Sequence, residues 1–169
     1  PDGIAKQFVH FVIHPFTDFM RKPLWAALLA FVLLFKLGDA LAGSMTPAFV
    51  IDIGFLRTDY AKIVGAYGLG ASLFGGFAGG YVQRVFPLTP TLWAAGLMMM
   101  LSNLAFVWLA IVGQSTGVLV AAVTIENVTG GFGTVVFVAF ISRLCTNRDF
   151  TATQFALLTS LAAMGRVVF

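Results

Sequence analysis

Six polar side chains interrupt long stretches of hydrocarbon in this sequence. Lys36 and Asp39 lie in VLLFKLGDALAG (32–43), and Asn103 lies in LSNLAF (101–106). Glu126 and Asn127 lie in IENVTGGFGTVVF (125–137), and Arg166 in AAMGRVV (162–168). An ionised group surrounded by hydrocarbon costs at least about 2.5 kcal/mol, so such residues face a bundle interior or a wet cavity and pair with one another. Lys36 and Asp39 are spaced i, i+3 and can screen each other on one helix face. Glu126 has no basic neighbour on its own segment. It must meet Lys36 or Arg166 across a bundle, meet a solute, or carry a proton. Away from water the neutral form of a carboxyl is favoured, which is the property a proton-coupling group needs. A static charge network that only sets helix register is the competing reading.

The elements that position these groups follow from composition. Of 169 residues, 59% are hydrophobic and 10% charged, and the mean hydropathy is +0.95. Soluble domains carry about a quarter charged residues, so the chain reads as an integral membrane protein. A net charge of +3 with no basic run fits Lys and Arg held at cytoplasmic helix ends rather than a nucleic-acid surface. The single cysteine, Cys145, excludes an intramolecular disulfide. Apolar segments fall at about 24–51, 61–82, 91–112, 118–144 and 152–169. A bilayer core needs roughly 20 helical residues, and no period-two alternation supports strands. The expectation is an all-α polytopic transmembrane bundle of about five helices after a cytoplasmic or interfacial linker at 1–23. The chain runs from Pro1 to Phe169 in mid-hydrophobic run, and a fragment of a longer polytopic protein is expected. Lys6, Arg21, Lys22, Arg84, Arg143 and Arg148 fall on one side of the spans and only Arg57 and Lys62 on the other. The positive-inside rule then places the N-terminal end in the cytoplasm.

At about 1.5 Å per residue, Lys36, Asn103 and Glu126 all lie roughly 18 Å from the cytoplasmic edge, and Asp39 and Arg166 roughly 22 Å. Four segments are thus expected to bring polar groups to one layer. In the second segment Gly68, Ser72, Gly76 and Gly80 recur every four residues, with Ala71, Gly75 and Gly79 as a parallel row. Small residues let helices approach closely where lipid supplies no hydrophobic drive. Gly130, Gly131 and Gly133 in the fourth segment predict a kink or a close contact, and Met98, Met99 and Met100 read as lipid-facing or filler side chains. Thr151-x-x-Gln154 fits a capping box opening the fifth segment. His10 and His14 are spaced i, i+4, but no acidic or cysteine partner lies near them; neither a metal nor a cofactor is expected. No nucleophile–base pairing stands out either, so no enzyme is expected.

Four blocks carry a resemblance. PFTDFMRKP (15–23), FKLGDALAGSMTPAFVIDIGF (35–55), ENVTGGFGTVVFVAFISRLC (126–145) and FTATQFALLTSLAAMGRV (150–167) resemble, in matching order, the AmpG-type muropeptide permeases of the major facilitator superfamily. Acetyl-coenzyme A transporters are more distant relatives of that family. The superfamily's acidic-then-basic loop signature is present only degenerately, as Gly79-Gly80-Tyr81-Val82-Gln83-Arg84. The resemblance implies the first five helices of the second six-helix half of such a carrier, completed by an N-terminal half and seated in a bacterial inner membrane. It implies proton-driven import of N-acetylglucosaminyl-anhydro-N-acetylmuramic acid and its peptides for cell-wall recycling. Asp39 and Glu126 are then the proton-coupling candidates, Lys36 and Arg166 counter-charges or contacts for solute carboxylates, and Asn103, Asn127 and Gln154 hydrogen-bonding groups. A carrier of acetyl-coenzyme A or another large anion is one alternative, and a non-transporting membrane scaffold or receptor fragment another.

Overall fold

The computed structural model describes residues 24–145 and 154–160 together with Thr17, Met20 and Ala152, the side chain of Asp39 excepted. It is all-α: among the described residues there is no strand. Among the described residues four helices are long and apolar enough to cross a membrane: α1 (Trp25–Asp52), α2 (Arg57–Val85), α3 (Leu88–Val112) and α4 (Thr116–Leu144). Residues 154–160 are also helical. The linker with His10 and His14, Thr151 of the expected capping box, and Arg166 lie outside the described residues.

Three of the helices begin before their apolar segments do, α4 by two residues, at Thr116. α2 starts at Arg57 rather than at residue 61, and α3 at Leu88 rather than at 91. The first turn of a helix needs no internal N–H partner, so it forms in the polar boundary region with Arg57, Thr58 and Asp59 aboard. Pro87 is extended just before α3 (φ −59°, ψ 147°), and Pro90 sits in that first turn, where its missing N–H costs nothing.

Pro47 lies inside α1, which continues through it. Proline removes one helical donor. Around it the Thr46 hydroxyl donates to the Ala42 carbonyl at 2.7 Å and the Ser44 hydroxyl to that of Leu41 at 3.0 Å, the kind of local adjustment that makes Pro tolerable in a membrane helix.

The chain forms two compact units, residues 41–140 and the combined ends 1–40 with 141–169. In the first, Val50, Phe55, Ile63, Phe106, Leu109, Leu119, Ala122 and Val123 form a buried cluster. Phe49 meets Phe106 edge-on, with centroids 6.3 Å apart and planes at 85°, the favoured arrangement for aromatic quadrupoles. A second cluster joins Leu88, Ala95, Phe132 and Val136. The turns before α2 and before α4 are tied by Gln114, whose Nε2 donates to the Gly54 carbonyl at 2.7 Å. In the unit of the chain ends, Val32, Ile141, Cys145, Gln154 and Leu158 are buried, and Phe31 and Phe35 stack obliquely at 5.7 Å.

Candidate functional site

Glycine determines how α2 and α4 meet. A Cβ built on Gly75 would run into the Val128 carbonyl oxygen, and one on Gly131 into that of Ser72. A Cβ on Gly79 would stand 3.0 Å from the Phe132 carbonyl oxygen. Backbone therefore lies directly on backbone along this line, which only residues without a side chain allow. The buried row on α2 is Gly68, Ala71, Gly75 and Gly79. Ser72 and Gly76 flank it half-buried, and Gly76 makes an ordinary 3.6 Å approach to Val135. Gly80, and Gly130 on α4, look into open space. On the far side of α2, Phe74, Phe77 and Tyr81 point away from the unit.

The glycines of α4 do not break it: the helix runs unbroken from Thr116 to Leu144. Gly131 instead receives α2, and Gly133 receives the sulfur of Met99 from α3. So Met99 fills the groove that the missing side chain leaves, while Met100 is exposed.

The irregular turn is in α2. Val64–Gly68 is a π-helical turn closed by the Leu69 N–H on the Val64 carbonyl. Such single wide turns recur at functional positions. Here the turn ends at Gly68, whose bare Cα receives the side chain of Asn127, the amide nitrogen lying 3.2 Å from the built Cβ. Asn127 Nδ2 donates to the Val123 carbonyl at 2.8 Å, which holds the amide in place. Beside it Glu126 is half-buried. Tyr60, one turn before the π segment, is half-buried against the neighbouring apolar cluster. Thr129 donates back to the carbonyls of Ile125 and Glu126, both at 3.0 Å. Polar atoms of α4 thus gather opposite the wide turn of α2, where they can take a proton or offer an amide to a solute.

Not every expected member joins this group. Asn103 sits where α3 is interrupted, between Leu88–Ser102 and Leu104–Val112. It is exposed, and its Nδ2 donates to the Met99 carbonyl of its own helix at 3.1 Å. Its amide makes no hydrogen bond to Glu126 or Asn127. Its neighbour Ser102 turns inward instead, donating to the Met99 carbonyl at 2.7 Å. In the unit of the chain ends, Lys36 is half-buried and Gln154 is 2% exposed. The π turn escaped sequence reasoning, because nothing in VGAYG demands one.

No protein-family model matches the chain. Curated relatives do match it. The anhydromuropeptide permease of Escherichia coli (strain K12) is 39% identical over 166 residues, which is 97% of this chain and 33% of that protein. A Rickettsia felis protein carrying the transporter name AmpG 4 is 38% identical over 157 residues, 93% of this chain and 38% of the relative. An AmpG 2 transporter relative from Rickettsia typhi is 32% identical over 165 residues, 98% of this chain and 40% of the relative. The chain spans between a third and two-fifths of the length of these relatives. Over that span it is homologous to AmpG-type permeases.

Proposed function

We propose that this homologue of AmpG-type permeases is a section of a proton-coupled importer of muropeptides. Its solutes are then N-acetylglucosaminyl-anhydro-N-acetylmuramic acid and its peptides, taken up for cell-wall recycling. The observation that carries this reading is the 39% identity to an anhydromuropeptide permease across 97% of the chain. Its blocks include the polar groups that a hydrocarbon environment would otherwise exclude. The described helices supply part of one half of the carrier, and the rest of the protein, including an N-terminal half, supplies the other walls of the cavity. The membrane is the bacterial inner membrane with the N-terminal end of this section in the cytoplasm, supported by six basic residues on one side of the spans against two on the other.

In this reading Glu126 or Asp39 takes the coupling proton. Lys36 and Arg166 balance charge or meet the solute's carboxylates. Asn127 and Gln154, with Asn103 at the break in α3, offer amides to sugar hydroxyls or peptide groups. The apposed backbones of α2 and α4 form a rigid pair on which Glu126 and Asn127 are carried. The test is uptake of labelled N-acetylglucosaminyl-anhydro-N-acetylmuramic acid by the full-length protein, expressed in cells lacking their own muropeptide permease. Uptake that collapses with a protonophore is expected. Absence of uptake in cells where the protein has reached the membrane would overturn the proposal, and accumulation of acetyl-coenzyme A in its place would redirect it to another anion.

A further inference from the structure

At one end of the unit 41–140 the turn between α1 and α2 meets the turn between α3 and α4. A cavity of about 460 Å³ lies there, within the size range of small-molecule sites. Phe55 and Ile63, buried members of the apolar cluster, line it together with the exposed Leu56. Its polar lining is Asp59 and Lys62 from the first two turns of α2, with Gln114 and Thr116 from the opposite turn and the start of α4.

The spacing of Asp59, Lys62 and Ile63, i, i+3 and i+4, puts them on one face of α2. Gln114 is held in place by the bond from its Nε2 to the Gly54 carbonyl, and its Oε1 is an acceptor. Lys62 Nζ stands 3.7 Å from an Asp59 carboxylate oxygen, with the two side chains 80% and 52% exposed. That distance is too long for a hydrogen bond, and exposed ion pairs contribute only about 0–1 kcal/mol. Each charge therefore keeps its hydrogen-bonding capacity for a third group, and little is lost when one arrives.

We infer that this cavity binds an α-amino-acid head group, its ammonium on Asp59, its carboxylate on Lys62 and its apolar side chain against Phe55 and Ile63. The two charges of such a head group sit on one carbon, roughly 3 Å apart by ordinary bond lengths, which suits the spacing of Asp59 and Lys62. A lone anion meets the repulsion of Asp59 and a lone cation that of Lys62, so the lining selects a solute carrying both signs. Gln114 Oε1 adds an acceptor for the ammonium, and the Thr116 hydroxyl a donor for the carboxylate. A phospholipid headgroup also carries both signs. Phe55 and Ile63, however, are closed into the buried cluster, so the apolar lining is a floor rather than a path for acyl chains. Binding here does not depend on which solute the carrier imports.

The test is a ligand-observed NMR titration of the full-length protein with leucine, with N-acetylleucine, which lacks the ammonium, and with leucinamide, which lacks the carboxylate. Saturable binding of leucine is expected, weakened about fivefold by either change, the upper end for an exposed ion pair. Asp59→Asn should then bind leucine and N-acetylleucine equally, and Lys62→Gln should bind leucine and leucinamide equally. Each variant has lost the partner that told those two ligands apart. Melting points report that the variants fold, and the three ligands on the unaltered protein test the charge requirement without any substitution. No saturable leucine binding, or three ligands bound alike, overturns the inference. A fivefold pattern that survives both substitutions overturns it too, because leucine then binds elsewhere. Glycerophosphoethanolamine bound more tightly than leucine overturns it in favour of a lipid headgroup.

Discussion

Alanine substitution along α2 and α4 separates a backbone contact from a mere run of small residues. At Gly75 the new Cβ would occupy the position of the Val128 carbonyl oxygen, and at Gly131 that of the Ser72 carbonyl oxygen. The obstacle in each case is main chain in the middle of a helix, which cannot rotate aside, so the two helices must move apart. Overpacking of this kind costs about 1–3 kcal/mol. The better helix propensity of alanine returns at most about 1 kcal/mol, leaving a net loss at both positions. Gly133 differs because its obstacle is the Met99 sulfur, the adaptable end of a side chain that repacks at low cost. At Gly80 and Gly130 a Cβ meets nothing within 4 Å, so alanine there is neutral or slightly stabilising. The expected order of destabilisation is Gly75 and Gly131 first, then Gly79, then Gly133, with Gly76, Gly80 and Gly130 last. The assay is thermal unfolding of the full-length protein in detergent, followed by the loss of its monodisperse peak. If Gly75→Ala and Gly131→Ala melt no lower than Gly80→Ala, backbone contact is not what holds α2 against α4, and the reasoning fails.

Gln114→Ala removes the 2.7 Å bond to the Gly54 carbonyl and is expected to cost about 1 kcal/mol, read in the same melting assay. Gly54→Ala forces a side chain into φ +113°, a conformation that glycine alone adopts freely, so its melting point should fall further than that of Gln114→Ala. Lys62→Ala breaks only an exposed 3.7 Å ion pair and is expected to leave the melting point unmoved. Asn127→Ala keeps Gly68 uncrowded but removes the amide opposite the π turn; uptake per molecule should fall at least tenfold while the melting point changes little, and full uptake would remove Asn127 from the solute-contact candidates.

That the chain is an all-α bundle of membrane-length helices was legible in the sequence, because twenty or so residues without charge have no stable place in water. So was the demand that Glu126 and Lys36 be sheltered, since hydrocarbon penalises each of them wherever the helix turns. What the sequence left open is direction around each helix axis. In a soluble helix polar residues mark the outer face; here both faces are apolar, so Phe74 and Phe77 pointing away and Ala71 pointing inward are equally consistent with hydropathy. Two staggered rows of small residues were visible on α2, and only the packed structure selected the one running through Gly75 and Gly79 as the line of backbone contact. The same held for Asn103: hydropathy left its direction open, and the packed structure turns its amide back onto its own helix at the break in α3. The seating of Asn127 on Gly68, at the end of the π turn Val64–Gly68, arises from the register of two helices about sixty residues apart in sequence. Solvation therefore determined which residues enter the membrane. Close packing, which depends on partners that local sequence does not specify, decided which of them face one another.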